Sequence, residues 1–196
     1  MSFDILFEFE QQIAQYTGSP LAIVTDCCTH AMELCLRYDQ TKHCSFPAFT
    51  YLSVPMLMHR LNIQFDYLDQ DHQQWAGEYQ FVGTRIWDSA RRLEPDMYRK
   101  GQMQCLSFGW TKPMQLGRGG AILLDDAQAY EVISRQRSDG RDLKILPWSD
   151  QKKFQMGWHY CPTLELCAKG IEQLSKHVPQ NQHILYADLR SISIQN

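Results

Sequence analysis

Between Cys105 and Asp126 the chain reads CLSFGWTKPMQLGRGGAILLDD: two short apolar runs held apart by a turn that carries one lysine and three glycines. Cys105–Phe108 and Ala121–Leu124 are bounded by turn residues and are short for helices. Each therefore predicts a strand of a sheet covered on both faces. Lys112 is placed at a strand end, with the bend of Gly117, Gly119 and Gly120 just behind it. A lysine in a turn is ordinarily a solvated charge, and spacing alone leaves that reading open.

The rest of the chain repeats the strand–helix pattern. Apolar positions in Phe3–Tyr16 recur at helical spacing until Gly18 and Pro20. Leu21–Thr25 reads as a strand, and Thr29–Tyr38 as a helix. Cys44–Pro47 is a short strand, and Leu52–Leu61 a helix with Pro55 in its first turn, where the missing N–H costs little. Ile63–Leu68 alternates as a strand, Gln70–Gln80 is a polar loop, and Thr84–Asp88 is a strand ending in a carboxylate. Asp125–Arg137 has an acidic start and a basic end that suit a helix dipole. Ser138–Trp158 reads as loop, and Thr163–His177 as an amphipathic helix capped by Thr163. Gln182–Ile194 fits helix as far as Leu189 and strand beyond it, without a firm assignment. Such alternation predicts an α/β sheet with a site along its carboxyl edge.

At 196 residues the chain can bury a sizeable core, and its net charge of −3 offers no basic footprint for nucleic acid. Its apolar runs are too short to cross a bilayer, and MSFDILFEFE is acidic where a secretory leader is basic. A cytoplasmic protein without membrane or nucleic-acid partners is expected. Seven cysteines, two of them adjacent at Cys27 and Cys28, suit reduced thiols better than a disulfide framework. His30, His43 and His159 lie near cysteines without the spacing that closes a zinc site, so no metal is expected.

At the turn Asp26-Cys27-Cys28-Thr29 a strand gives way to a helix whose first N–H groups and positive dipole end favour a phosphate. The alternative is that Asp26 or Thr29 merely caps the helix. Three strand ends thus carry an anion-type turn, the acid Asp88 and the amine Lys112.

Ser-Phe-Gly-Trp-Thr-Lys-Pro followed by Gly-Arg-Gly-Gly resembles the segment around the cofactor lysine of the DegT/DnrJ/StrS aminotransferases, sugar aminotransferases of the type I pyridoxal-phosphate fold. The resemblance continues in order along nearly the whole chain. Tyr16-Thr17-Gly18 is similar to the family's opening segment, and Asp26 to Ala31 to its phosphate turn. Phe46-Pro47-Ala48-Phe49-Thr50-Tyr51 resembles a Pro-x-Phe/Met-Thr-aromatic run, Ile86 to Arg91 a Glu-Asp-Ala-Ala-Gln segment, and Arg135 to Gly140 an Arg-x-x-Arg-Asn-His-Gly element. Gly157-Trp158-His159-Tyr160 resembles Gly-Tyr-Asn-Tyr before the long helix that holds Gly170. By this match Lys112 is the Schiff-base lysine and proton carrier, Asp88 the partner of the pyridine nitrogen, and Tyr51 the residue stacked on the ring. The alternative for Tyr51 is a core aromatic, since aromatics bury large apolar area anywhere. Cys28, Thr29 and Ser107 are the implied phosphate contacts. Arg91 falls at a family glutamine among the cofactor contacts, and His159 at an asparagine that reaches the phosphate of a partner subunit.

The resemblance implies a three-layer α/β/α sandwich with a mostly parallel sheet, like the large domain of type I transferases. The C-terminal small domain is expected to be lacking, as is a strand–helix unit between Asp71 and Thr84. Residues 1–178 are expected to form the shortened large domain and 179–196 a tail. The implied protein is a homodimeric pyridoxal-phosphate aminotransferase acting on a keto sugar or similar carbonyl compound. The alternative is a catalytically degenerate relative that binds a ligand or a partner, because an open pocket admits water. A nucleotide-binding reading of Gly117-Arg118-Gly119-Gly120 lacks the GxxxxGK[ST] and GxGxxG patterns, so a simple turn is expected there.

Overall fold

The computed structural model describes residues 2–68, 77–179 and 186–193. Its helices are α1 (Asp4–Thr17), α2 (Cys28–Tyr38), α3 (Ser53–Leu61), α4 (Ala127–Gln136) and α5 (Leu164–Leu174). Its strands are β1 (Leu21–Thr25), β2 (His43–Pro47), β3 (Gln64–Leu68), β4 (Tyr79–Gln80), β5 (Ile86–Asp88), β6 (Met103–Ser107) and β7 (Gly120–Leu124). Most bounds fall within a few residues of the sequence reading. Thr163 caps α5 by accepting from the Leu166 N–H, and Asp126 caps α4 by accepting from the Ala129 N–H.

Five strands form one sheet in the order β1-β7-β6-β5-β4, and β2 pairs with β3 beside it. The two are joined at one bridge, where Ser45 and Val82 exchange backbone hydrogen bonds of 3.1 and 2.8 Å. The pairing is mixed: β5–β6 and β2–β3 are parallel, whereas β1–β7, β6–β7 and β4–β5 are antiparallel. Followed through these pairings, β1, β2, β3, β5 and β6 all run one way, and only β4 and β7 run back. The sheet is therefore mixed and not mostly parallel as expected, although most of its strands point one way. The physical reason is connectivity: β5 follows β4, and β7 follows β6, through turns with no crossover helix, and such links join antiparallel neighbours.

Both faces of the sheet are covered, which explains the continuously apolar strands. Ile23, Ile122 and Leu124 face a core built with Met32, Leu36, Leu57, Met58 and Ile133 from α2, α3 and α4. Ala22, Val24, Ala121 and Leu123 face the other core, with Leu6, Phe9 and Ile13 of α1 and Cys167 and Leu174 of α5. The result is the three-layer α/β/α arrangement. At Gly170 a Cβ would stand 2.2 Å from the Phe9 ring, so only glycine lets α5 lie this close to α1.

Two assignments change. Within the segment read as a polar loop, residues 69–76 lie outside the described residues, but Tyr79–Gln80 is a strand. Tyr79 is its inward position, 9 % exposed, and Phe81 just beyond it is fully buried. In the last segment, residues 186–193 form neither α-helix nor strand. A single 3-10 turn at Leu189–Ser191 is pinned where the Leu189 N–H donates to the Ala48 carbonyl at 3.1 Å, and Leu189 itself is buried. All seven cysteines are unpaired. Among the described residues no helix is long and apolar enough to cross a membrane.

Candidate active site

The shared direction of β1, β5 and β6 sends their carboxyl ends to one edge of the sheet. There β1 turns into α2, β5 ends at Asp88, and β6 ends at Ser107 before the loop that carries Lys112. The turn into α2 is tight. A Cβ at Gly120 would meet the Cys28 nitrogen at 2.5 Å and the Cys27 carbonyl carbon at 2.6 Å, so β7 can lie against the helix start only with glycine there. Cys27 is the cap residue in extended conformation, and no side chain caps α2. The first N–H groups of α2 therefore face the cavity with the positive end of the helix dipole behind them.

Neither residue suggested as a cap acts as one. The Thr29 hydroxyl lies 2.9 Å from Ser53 Oγ, and Asp26 turns away to bind His30 Nδ1 at 2.6 Å and Arg118 Nη2 at 2.9 Å. Burial pushes the Asp26 carboxyl up, yet the hydrogen bonds and charges of His30 and Arg118 hold it below its ordinary value. Burial likewise opposes charge on His30, but the Asp26 bond, with Cys27 beside it, raises its pKa to about 9. The His30 ring also stacks on Tyr160, 3.6 Å between centroids. The negative charge beside the start of α2 is thereby offset. Asp26, Cys27 and His30 bring their ligand-type atoms within 4.8 Å of one another, a cluster that spacing did not reveal. Its carboxylate is already spent on Arg118 and His30.

Asp88 is 6 % exposed. One of its oxygens accepts from the Ala90 N–H and the other from the Tyr79 hydroxyl, both at 2.9 Å, and Tyr79 Oη lies 2.6 Å from Thr50 Oγ1. Burial raises the Asp88 pKa, with Lys112, these donors and Arg91 pulling the other way. A carboxyl so placed gains by meeting a cation. Burial also keeps Tyr79 protonated, and so a donor.

Cys28, Thr29, Tyr51, Asp88, Arg91, Ser107 and Lys112 all line one cavity of about 440 Å³, within the range of roughly 300–1,000 Å³ usual for small-molecule sites. Cys28 offers its backbone, since its thiol points to the Cys105 carbonyl at 3.6 Å. Tyr51 is 58 % exposed, so it belongs to the cavity wall and not to the core. Lys112 makes no ion pair among the described residues, which leaves its amine to the cavity. His159 does not reach this cavity. Its side chain is 83 % exposed and sits 3.0 Å from Asp139.

Among the lining residues to which the sequence reading gave no role are Tyr79, Ser53 and Tyr186, and Arg118 was read only as part of a turn. The alternation of Tyr79 and Phe81 was a signal for the first. Nothing local marks Tyr186, which meets Arg91 across 95 positions of sequence.

Residues 4–87 match the model of the DegT/DnrJ/EryC1/StrS aminotransferase family. A comparison with curated proteins gave no match. Among solved structures the chain is similar to 3-amino-5-hydroxybenzoic acid synthase (TM-score 0.71, 20 % identity), covering 88 % of this chain and 56 % of that one. It is similar to the Helicobacter pylori aminotransferase PseC, involved in pseudaminic acid biosynthesis (TM-score 0.70, 14 % identity, 88 % and 57 %). A third is the dehydratase ColD, with GDP-perosamine bound (TM-score 0.69, 16 % identity, 88 % and 61 %). At these identities the likeness establishes the fold. The chain spans under two thirds of the length of each of these structures.

Proposed function

We propose that this chain is a pyridoxal-phosphate-dependent aminotransferase of the DegT/DnrJ/EryC1/StrS family, whose model residues 4–87 match. Its acceptor is a keto sugar, nucleotide-linked as in the GDP-perosamine complex of ColD, or a similar small carbonyl compound. One observation carries this reading: an amine, a buried carboxyl and an uncapped helix start converge on a single cavity at one sheet edge. The residues fit the cofactor. The α2 N–H groups, Cys28 among them, and the hydroxyls of Thr29 and Ser107 suit a phosphate, while Asp88 suits a protonated ring nitrogen.

When bound, pyridoxal phosphate carries the amino group and withdraws electrons from the substrate carbon. Asp88, fixed by Ala90 and Tyr79, would hold a proton on the ring nitrogen. Tyr51, on the cavity wall, would stack on the ring. Lys112 Nζ would hold the cofactor aldehyde and serve as the proton carrier for the substrate carbon. The proposed cofactor domain is residues 1–178. The tail, 179–196, contributes Tyr186 to the cavity lining. In a proposed homodimer, exposed His159 contacts the partner copy's phosphate. A monomer by light scattering at micromolar concentration removes that role.

A second reading, a relative that binds without turnover, is favoured by the open cavity mouth, where Tyr51 is 58 % and Trp110 72 % exposed. Absorption spectroscopy with added pyridoxal phosphate, before and after borohydride, tests the first. A visible band that borohydride fixes, absent in Lys112→Ala, supports the cofactor and its lysine; no band in either protein overturns both.

A further inference from the structure

Among the described residues, every arginine but one forms an ion pair with an aspartate or glutamate. The exception among the described residues is Arg91, which is also one of the most buried, at 9 % exposed. A buried guanidinium without a counter-charge is costly, and folds normally supply the partner. Here the protein supplies only neutral acceptors. Arg91 Nε donates to Tyr186 Oη at 3.0 Å and Nη1 to the Thr111 carbonyl at 3.1 Å, while the group lies 5.3 Å from the centre of the Tyr186 ring. Two anchors of this kind fix the plane of the fork. They leave Nη2 and the second Nη1 hydrogen, its end-on edge, without a protein acceptor among the described residues. Arg91 lines the cavity with Lys112 and Asp88. Asp88 attracts it only at longer range, since no ion pair forms between them and the Asp88 oxygens already accept from Ala90 and Tyr79.

We propose that Arg91 is a second anion-binding group of this cavity, separate from the start of α2, and that it receives the carboxylate of a substrate. This rests on the aminotransferase reading for the identity of the reaction, though not for the site. A planar fork with a fixed edge suits a planar, two-oxygen anion, which it binds through paired hydrogen bonds. The phosphate-type donors lie elsewhere, at Thr29, Ser107 and the α2 backbone. Family resemblance places Arg91 among the cofactor contacts, at a glutamine position. An arginine there adds a charge that a glutamine lacks, and its orientation by Tyr186 gives that charge a direction. Tyr186 is a positioning residue: it holds Arg91 and also meets Tyr51, at 6.3 Å between ring centroids.

The test is calorimetric titration of the full chain with alanine against alaninamide and pyruvate against pyruvamide, pairs that differ in the carboxylate. Wild-type protein binds the carboxylate member of at least one pair tighter by about tenfold or more, as a charge-assisted bidentate contact requires. The alanine pair reports a carboxylate on an amino donor, and the pyruvate pair one on a carbonyl acceptor. Arg91→Gln abolishes the preference, Arg91→Lys keeps only part of it, and Tyr186→Phe weakens it a few-fold. Inorganic phosphate binds equally to wild type and Arg91→Gln. Retention of the full preference in Arg91→Gln, with an unchanged melting temperature, overturns the proposal. So does the absence of any preference in wild type. A lysine-dependent cofactor band without carboxylate preference sinks this inference alone. A preference without the band leaves the site standing and removes the aminotransferase reading.

Discussion

Arg137 and Arg91 are both withdrawn from solvent, 1 % and 9 % exposed, yet the fold treats them in opposite ways. Arg137 leaves the end of α4 and pairs with Glu10 of α1, while also donating to the Val24 carbonyl at 2.7 Å; the same Glu10 oxygen accepts from the Val24 N–H at 2.9 Å. Helix, strand and helix are tied by one closed polar network, and every charge in it is answered from within the chain. Arg91 stands at the carboxyl end of the sheet, anchored by a tyrosine and a carbonyl, with its charge left open toward a cavity. A charge completed internally serves the fold, and a charge left incomplete at comparable burial serves something that arrives from outside.

The sharpest way to break this comparison is by stability. Arg137→Ala strands Glu10 in the interior and is expected to cost about 3–5 kcal/mol in urea unfolding, whereas replacing the pair together by Glu10→Leu and Arg137→Met recovers most of that loss. Arg91→Gln gives up one or two hydrogen bonds to neutral groups but no ion pair, so it is expected to change stability by no more than about 1 kcal/mol. Equal losses at the two positions would erase the distinction. A second effect falls on chemistry alone. Asp88→Asn keeps the hydrogen-bonding shape at the end of β5 and removes its charge, and a fall in transamination of about 10²-fold with an unchanged melting curve is expected. Unchanged rates would take Asp88 out of the reaction.

The smallest effect is the pH response of the pair that flanks the start of α2. His30 is raised from 6.5 to about 9 in the folded protein, so its contribution is complete below pH 6.5 and is lost as pH rises through about 9. Asp26 is lowered, so its share is present above its ordinary pKa and is lost on acidification below that value. Melting temperatures between pH 6.5 and 9.5 are expected to fall more steeply in wild type than in His30→Gln. Parallel slopes would show that the pair contributes nothing to stability.

Periodicity and turn chemistry located most of the elements because both are local. A helix such as α2 announces itself by 3.6-residue spacing, and a strand buried on both faces, such as β7, by an unbroken apolar run. Lys112, Asp88, Thr29 and Ser107 were legible for the same reason, since each stands at a strand end or in the turn that follows one, and strands of one direction deliver their ends to one edge. The mixed pairing of the sheet was not legible, because a strand's own residues do not state which way its neighbour runs. β4 was hidden at the end of a polar stretch, where a two-residue strand is too short to show a period.

The chain's alternation of apolar runs and amphipathic segments was enough to settle the α/β class and to bring an amine, an acid and an uncapped helix start into one neighbourhood. It could not settle which charges would be answered. Asp26 meets Arg118 across 92 positions, Glu10 meets Arg137 across 127, and Arg91 meets only neutral acceptors among the described residues, Tyr186 across 95 positions and Thr111 across 20. Contacts of that range arise from the closing of the whole sheet and its helices. Whether a buried charge is completed by its own protein or held open for a ligand was therefore decided only when the layers came together.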